Sequence, residues 1–213
     1  MTRVLVTGGA GYIGGTAVKM LLAAGFDVNV LDDCSTGHED SVDPRATFIL
    51  GSILDKNAVL TALNGCDAVM HFAAKSLVPE SVEKPDLYMH VNVDGSTNLL
   101  DCMKELGVHK IVFSSTAATY GEPKEVPITE KSITEPTNPY GASKLKVDQL
   151  LTTRAATDGI AAISLRYFNV AGALKTQTGW HAERHNPETH LIPNVLKATE
   201  ERPLKVFGND WPT

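Results

Sequence analysis

VTGGAGYIGG, residues 6 to 15, decides how the rest of the chain is read. An apolar run, Arg3 to Thr7, leads straight into glycines at positions 8, 11 and 14. A helical pattern follows, with Ile13, Ala17, Met20, Leu21 and Ala24 on one face before Gly25 at a C′ position. Strand, glycine loop and helix in that order place a demand on the backbone. The first glycine makes a tight turn, the middle one lets backbone N–H groups approach a pyrophosphate, and the last lets helix and strand pack closely. Gly8, Gly11 and Gly14 are therefore predicted to cradle a dinucleotide. The loop does not end in Lys-Ser or Lys-Thr, which argues against a P-loop NTPase.

Outward from the loop, short apolar runs alternate with helical patterns. Strands are predicted at Arg3 to Thr7, Asp27 to Leu31, Ala46 to Leu50, Ala68 to Phe72, Ile111 to Ser114 and Ala161 to Leu165. Asp55 can cap a helix running to Gly65, and longer helical patterns cover Leu87 to Leu106, weakened by Gly95, and Tyr140 to Ala156. Strands that are apolar throughout, separated by helices, indicate a parallel sheet covered on both faces. The fold class is α/β, a Rossmann-like doubly wound sheet whose ligands sit at the carboxyl ends of the strands. After Arg166 the rhythm breaks into YFNVAGALKTQTGWHAERHNPETH, which reads as a binding insertion. Residues 1–166 are thus expected to form the dinucleotide-binding domain and 167–213 the beginning of a smaller substrate-binding region.

The second strand leads to Asp32, placed to bind ribose hydroxyls and to repel a 2′-phosphate. No Lys or Arg lies between Lys19 and Arg45, so NAD is favoured over NADP. The net charge of −6 comes without a basic cluster, which leaves no footprint for nucleic acid or an anionic membrane. No apolar run approaches the ~20 residues of a membrane span. A soluble, cytoplasmic protein acting on a small molecule is expected. Cys34, Cys66 and Cys102 lack paired spacing and are read as buried free thiols. His181 and His185 in WHAERH would share a helix face, but Glu183 is misplaced for the His-Glu metal signatures. That stretch is read as a solvated or substrate-facing loop, and no metal is expected.

The predicted fifth strand ends in FSSTAATYGEP, bringing Ser114, Ser115 and Thr116 to the sheet edge, and NPYGASKL puts Tyr140 and Lys144 one helical turn apart. A phenol is a poor base at neutral pH. The lysine ammonium and an oxidised nicotinamide ring beside Tyr140 would stabilise its phenolate.

Together VTGGAGYIGG, LDDCSTG, HFAAKSLVPESV, SSTAATYGEP, NPYGASK, LRYFNVAGA and VFGNDWPT resemble the extended short-chain dehydrogenase/reductases over essentially the whole chain. The resemblance implies an NAD site lined by Gly8, Gly11, Tyr12, Ile13, Gly14, Asp32, Asp33, Cys34, Ser35, Thr36, Gly37, Ser52, Ile53, Phe72, Ala73, Ala74, Lys75, Asn92, Tyr140, Lys144 and Phe168. Ser52 departs from the family's usual aspartate, which implies a weaker contact with the adenine. Thr116, Tyr140 and Lys144 would be catalytic, and Thr116, Tyr140, Asn169, His190, Leu191 and Phe207 would face the substrate. The implied activity is an NAD-dependent isomerisation of UDP-glucose and UDP-galactose at C4 through a 4-keto sugar, by a homodimer.

Two rivals share the glycine loop. A nucleotide-sugar 4,6-dehydratase carries an Asp-Glu pair just after the strand-five hydroxyl, where this chain has Ala117 and Ala118. A non-catalytic NAD-binding module would have no use for Thr116, Tyr140 and Lys144 together. The resemblance further implies a continuation past VFGNDWPT with an arginine that grips the diphosphate. Arg184 and Arg202, the arginines after Arg166, do not match its context, so residues 1–213 are expected to fall short of a complete enzyme.

Overall fold

The computed structural model describes residues 1–176, 179–185, 188–206 and 208. The chain forms two compact units, Met1–Phe168 and Asn169–Thr213. In the first, six strands, β1 (Arg3–Thr7), β2 (Asp27–Asp32), β3 (Thr47–Leu50), β4 (Ala68–His71), β5 (Lys110–Ser114) and β6 (Ala161–Leu165), pair in the order β3-β2-β1-β4-β5-β6. Every pairing is parallel. This is the doubly wound Rossmann order, with its reversal point between β1 and β4.

Side-chain alternation along each strand feeds two separate cores. On one face Val4, Val6, Val28 and Val30 pack with Val18 of α1 (Tyr12–Ala23). On the other, Leu5, Leu31, Val69, Ile111 and Phe113 meet α2 (Lys56–Leu63), α5 (Gly95–Leu106) and α6 (Pro139–Asp158), whose apolar faces carry Leu63, Leu99, Met103, Val147 and Leu151. Asn29 is the polar residue within β2, and it is satisfied there because its amide donates to the Ala62 carbonyl near the end of α2 at 2.8 Å.

Local chemistry sets the helix ends. Asp55 accepts from the Asn57 and Ala58 amides at 2.8 and 3.4 Å and starts α2 as expected. Asn138 accepts from the Gly141 amide at 2.8 Å, Pro139 occupies the first helical position, and Gly159, at φ +68°, closes α6 in the left-handed conformation.

The region expected as one helix from Leu87 to Leu106 is instead α4 (Pro85–Tyr88), a stretch of π-helix (Met89–Asp94) and α5, preceded by α3 (Val78–Glu83). Gly95 sits at the junction because Ile53 fills the space beside it: a Cβ there would lie 2.6 Å from Ile53 Cδ1. Cys66 and Cys102 are buried free thiols, whereas Cys34 is only half-buried, since it lies in the loop after β2.

The second unit contains a hairpin that the sequence reading did not anticipate. Strands β7 (Ala173–Thr176) and β8 (Gly179–Ala182) pair antiparallel, which places His181 on a strand and not on a helix. A short α7 (Leu191–Leu196) follows. Residues 203–206 have no regular secondary structure. Among the described residues no helix is long and apolar enough to cross a membrane.

The packing predicts a contrast between two leucines. Leu99 is fully buried, and Leu50 is 65% exposed. Leu99→Ala should cost about 2–5 kcal/mol in urea unfolding, while Leu50→Ala should change stability by less than about 0.5 kcal/mol. Similar costs at the two sites would contradict this description of the core.

Candidate active site

The site is built where strands end and helices begin. Beyond β1 the Gly8 amide still donates to Leu31 at 2.8 Å, and the chain then turns sharply with Gly8 at φ +75°. A Cβ on Gly8 would lie 2.6 Å from the Ala73 nitrogen, and one on Gly14 would lie 2.1 Å from the Gly8 carbonyl oxygen. Both contacts are with backbone, which cannot step aside. Helix α1 starts with Gly11 as N-cap, without a side-chain cap and without an acidic residue in its first turn. Its first N–H groups therefore face outward with the positive end of the helix dipole, which suits a phosphate.

Asp32 closes β2 beside this loop. It is buried, and its two oxygens accept from the Ala10 and Cys34 amides at 2.9 and 2.8 Å. Burial raises its pKa and these amides oppose the rise, so the carboxylate is held in one orientation with lone pairs to spare for hydroxyl donors. Asp33 accepts from the Ser35 amide at 2.9 Å, Cys34 adopts φ 54°, and a Cβ on Gly37 would meet Ala10 at 2.9 Å. The loop carrying Thr36 is thus drawn tightly against the glycine loop at Ala10. Ser52 accepts from the Leu54 amide at 3.2 Å, so part of its hydrogen-bonding capacity serves its own turn, and Ile53 beside it is buried.

The segment from Phe72 to Lys75 forms the other wall. The Phe72 amide donates to the Thr7 carbonyl at 3.0 Å, and the Ala73 amide to the Thr7 hydroxyl at 3.4 Å. Asn92 clamps Lys75 from both sides, accepting from its amide at 2.8 Å and donating to its carbonyl at 3.0 Å, and it also donates to Ser143 on α6 at 2.9 Å. With its amide so engaged, Asn92 frames Ala74 and Lys75. Behind this wall His71 is fully buried between Thr7 and Ser96, at 2.7 Å from Nδ1 and 2.8 Å from Nε2. Ser96 donates its proton to the Asn92 carbonyl, which makes Nε2 the donor and Nδ1 the acceptor. Burial pushes the imidazole down to about 3, so it is neutral.

On β5 and α6 the expected catalytic residues converge. Thr116 lies beside the Tyr140 phenol, and the Lys144 ammonium donates to the Ser114 carbonyl at 2.9 Å. Lys144 Nζ stands 4.8 Å from the Phe113 ring centroid and 6.0 Å from that of Tyr140. The electrostatics correct one expectation. Burial raises the Tyr140 pKa, opposed by the neighbouring Thr116 hydroxyl, and burial brings Lys144 down to about 8. In the protein alone desolvation prevails, with the ammonium 6.0 Å from the ring centroid.

The sequence reading passed over residues that complete this edge. Ser115 and the Arg166 guanidinium both donate to Asp148 Oδ2, at 3.0 and 2.9 Å, and Arg166 also reaches the Tyr120 hydroxyl at 3.2 Å. Tyr167 hydrogen-bonds to Ser114. Asp148 lies one turn beyond Lys144, so the i+4 step that joins Tyr140 to Lys144 could have found it.

Of the other residues implied by the resemblance, Phe168 ends the first unit with 70% of its surface exposed. In the second unit Asn169 and Leu191 are exposed, and Phe207 lies outside the described residues. His190 is half-buried, and Glu183, His185, Glu188 and His190 bring their ligand atoms within 4.8 Å of one another. His185 Nδ1 lies 2.6 Å from Glu183, and His190 Nδ1 lies 3.1 Å from Glu188. Each imidazole is thereby paired with a carboxylate inside the cluster, and His181, on β8, does not share a helix face with His185 as considered from sequence.

Residues 4–211 match the model of the NAD dependent epimerase/dehydratase family. A UDP-glucose 4-epimerase from Corynebacterium glutamicum is 52% identical over 99% of this chain and 64% of its own length. Another from Lacticaseibacillus casei is 48% identical with the same coverage. The crystal structure of UDP-glucose 4-epimerase from Brucella ovis in complex with NAD superposes with a TM-score of 0.94 at 40% identity, over 100% of this chain and 66% of that one. The chain spans about two thirds of the length of the relatives it matches.

His71 makes the frame of this site sensitive to acid. Above pH ~6.5 the imidazole is neutral whether the chain is folded or not, and below it the unfolded chain takes up a proton that the folded one refuses until about pH 3. The stability present above pH ~6.5 is therefore lost as the pH falls, at about 1.4 kcal/mol per pH unit. His71→Gln, which cannot titrate, should lose about 2 kcal/mol less than the parent between pH ~7 and ~5 in urea unfolding. Equal losses would show that His71 is not the titrating group.

Proposed function

From the premise that the chain belongs to the NAD dependent epimerase/dehydratase family, we propose that it serves an NAD-dependent epimerisation of UDP-glucose and UDP-galactose at C4, through a 4-keto sugar. One observation carries the reading: Thr116 and Tyr140 stand together at the carboxyl edge of a parallel sheet, beside buried Lys144 and a glycine cradle closed to side chains.

The cofactor is NAD, and the residues present fit it. Gly8, Gly11 and Gly14 keep side chains out of the loop, so that the start of α1 can approach the pyrophosphate, and the Asp32 carboxylate offers acceptors to the adenosine ribose while repelling a 2′-phosphate. Tyr12, Ile13, the loop from Asp33 to Gly37, Ser52, Ile53 and the segment from Phe72 to Lys75 would enclose it, with Asn92 and Phe168 at the nicotinamide end. Bound NAD supplies the acceptor and donor for the hydride of C4.

The chain's own residues handle the proton. Tyr140 accepts it from the sugar 4-hydroxyl, and Thr116, beside the phenol, shares it. Lys144 would supply positive charge near the phenolate, and the oxidised cofactor would add to it where burial raises the phenol's pKa in the protein alone. Ala117 and Ala118 form the turn after Thr116. Without a carboxylate there, a ketone at C4 is not carried on to elimination of water, which favours epimerisation over 4,6-dehydration.

In this reading residues 1–166 hold the cofactor and 167–213 begin the nucleotide-sugar region, with Asn169, His190, Leu191 and Phe207 facing the substrate. A cytoplasmic location agrees with three free thiols. A homodimer is part of the proposal on the family resemblance, and light scattering during size exclusion measures it.

Two outcomes are expected. NAD should co-purify and appear in the supernatant after denaturation; recovery of NADP instead, or a protein that cannot be loaded with NAD, would count against the reading. Tyr140→Phe in the full-length protein should keep NAD but slow conversion of UDP-galactose to UDP-glucose by about 10²–10⁴-fold. Near-normal turnover in that variant would remove Tyr140 from its role.

A further inference from the structure

Tyr140, Lys144 and Asp148 succeed one another at four-residue steps along α6 and share one helix face. Asp148 is the member that the proton transfer leaves unused. Its side chain is 6% exposed. Oδ2 accepts from Ser115 Oγ at 3.0 Å and from Arg166 Nε at 2.9 Å, whereas Oδ1 has no hydrogen-bond partner among the described residues. A buried carboxylate with an orphan oxygen is costly, so packing alone gives no reason for one here. What the group contributes is charge, and the neighbour one turn away is an ammonium withdrawn from water.

We propose that Asp148 is a positioning residue for the Tyr140–Lys144 pair: its carboxylate, anchored by Ser115 and Arg166, keeps Lys144 charged and fixes the strand end that carries Thr116. The anchors account for both parts. Ser115 lies between Ser114, whose carbonyl receives the Lys144 ammonium, and Thr116, which lies beside the Tyr140 phenol. Arg166 brings the end of β6 to the same carboxylate and stacks its guanidinium 5.2 Å from the Tyr120 ring centroid, below the turn that Thr116 opens.

The electrostatics agree with this geometry. Burial lowers Lys144 and Asp148 raises it. The other groups around the ammonium cannot replace that charge. On α6 there is the Tyr140 phenol, and from β4 the His71 imidazole, which is neutral. From β5 come the Phe113 ring and the Ser114 carbonyl, and Arg166 from β6 is a cation already paired to Asp148.

The inference rests on Tyr140 and Lys144 forming the catalytic pair, so its test reads the lysine directly and not turnover. Lys144 is titrated by NMR in NAD-loaded protein carrying carbon-labelled lysine, with Lys144→Arg used to assign the resonance. Asp148→Asn keeps the size and an acceptor but removes the charge, and it should lower the Lys144 midpoint by about one pH unit. Arg166→Gln releases the carboxylate from its cation and should move the midpoint up. Ser115→Ala removes a hydrogen bond without a charge and should move it by less than ~0.3 unit. In the full-length protein Asp148→Asn should bring the alkaline limb of the pH–rate profile down by the same amount, and Asp148→Glu should restore it.

An unshifted midpoint in Asp148→Asn, or a downward shift in Arg166→Gln, overturns the proposal. Should Asp148→Asn fail to fold, Arg166→Gln decides alone: a rise supports the proposal and no rise refutes it. Absent turnover together with these opposed shifts would sink the epimerase reading while supporting the link from Asp148 to Lys144.

Discussion

The backbone of Gly14 passes so close to Gly8 that a methyl group there would lie 2.1 Å from a carbonyl oxygen. Much of the first unit depends on that approach. It brings the first turn of α1 against the end of β1, aims uncapped N–H groups across the edge of the sheet, and leaves room for Asp32 to reach back to the Ala10 amide at 2.9 Å. A helix set further away would leave the loop too open to hold a diphosphate by its backbone, and the carboxylate would lose the partner that orients it.

Around this approach the protein buries polar groups and satisfies nearly all of them. Asn92 holds the backbone of Lys75 on both sides and reaches α6 through Ser143, so one side chain joins the wall of the cofactor site to the helix of the catalytic pair. Neutral His71 links Thr7 of β1 to Ser96 of α5 behind that wall. Such fully engaged networks give a low-dielectric edge its rigidity, and the same low dielectric makes every charge within it consequential. Lys144 and Asp148 are two such charges. The orphan oxygen of Asp148 is the place where satisfaction of the polar groups gives way to electrostatic need.

Ser52 and the pair Ala117 and Ala118 show how small departures redirect a shared scaffold. A hydroxyl that accepts from its own turn has less to offer an adenine than a free carboxylate would. Two methyl groups after Thr116 provide neither acid nor base where a dehydrating enzyme needs both. Both changes leave the sheet and its crossings untouched, so the chemistry can vary while the fold persists.

The strand bounds from Arg3 to Thr7 and from Ala161 to Leu165, the Asp55 cap, the parallel order and the i, i+4 pair of Tyr140 and Lys144 were legible in the sequence. Each is set by neighbours along the chain: side-chain periodicity, an oxygen two or three residues from a free amide, one helical turn. The π-helical break before Gly95, the β7–β8 hairpin, the engagement of Asn92 and the anchoring of Asp148 by Ser115 and Arg166 were not legible. Their partners are distant in sequence, as Ile53 is from Gly95 and Arg166 from Asp148, and only the packed sheet brings them together. The balance of charge at Tyr140 belongs with them. Spacing along α6 determined that a lysine would stand near the phenol, and burial, which no local pattern records, decided that in the protein alone desolvation prevails.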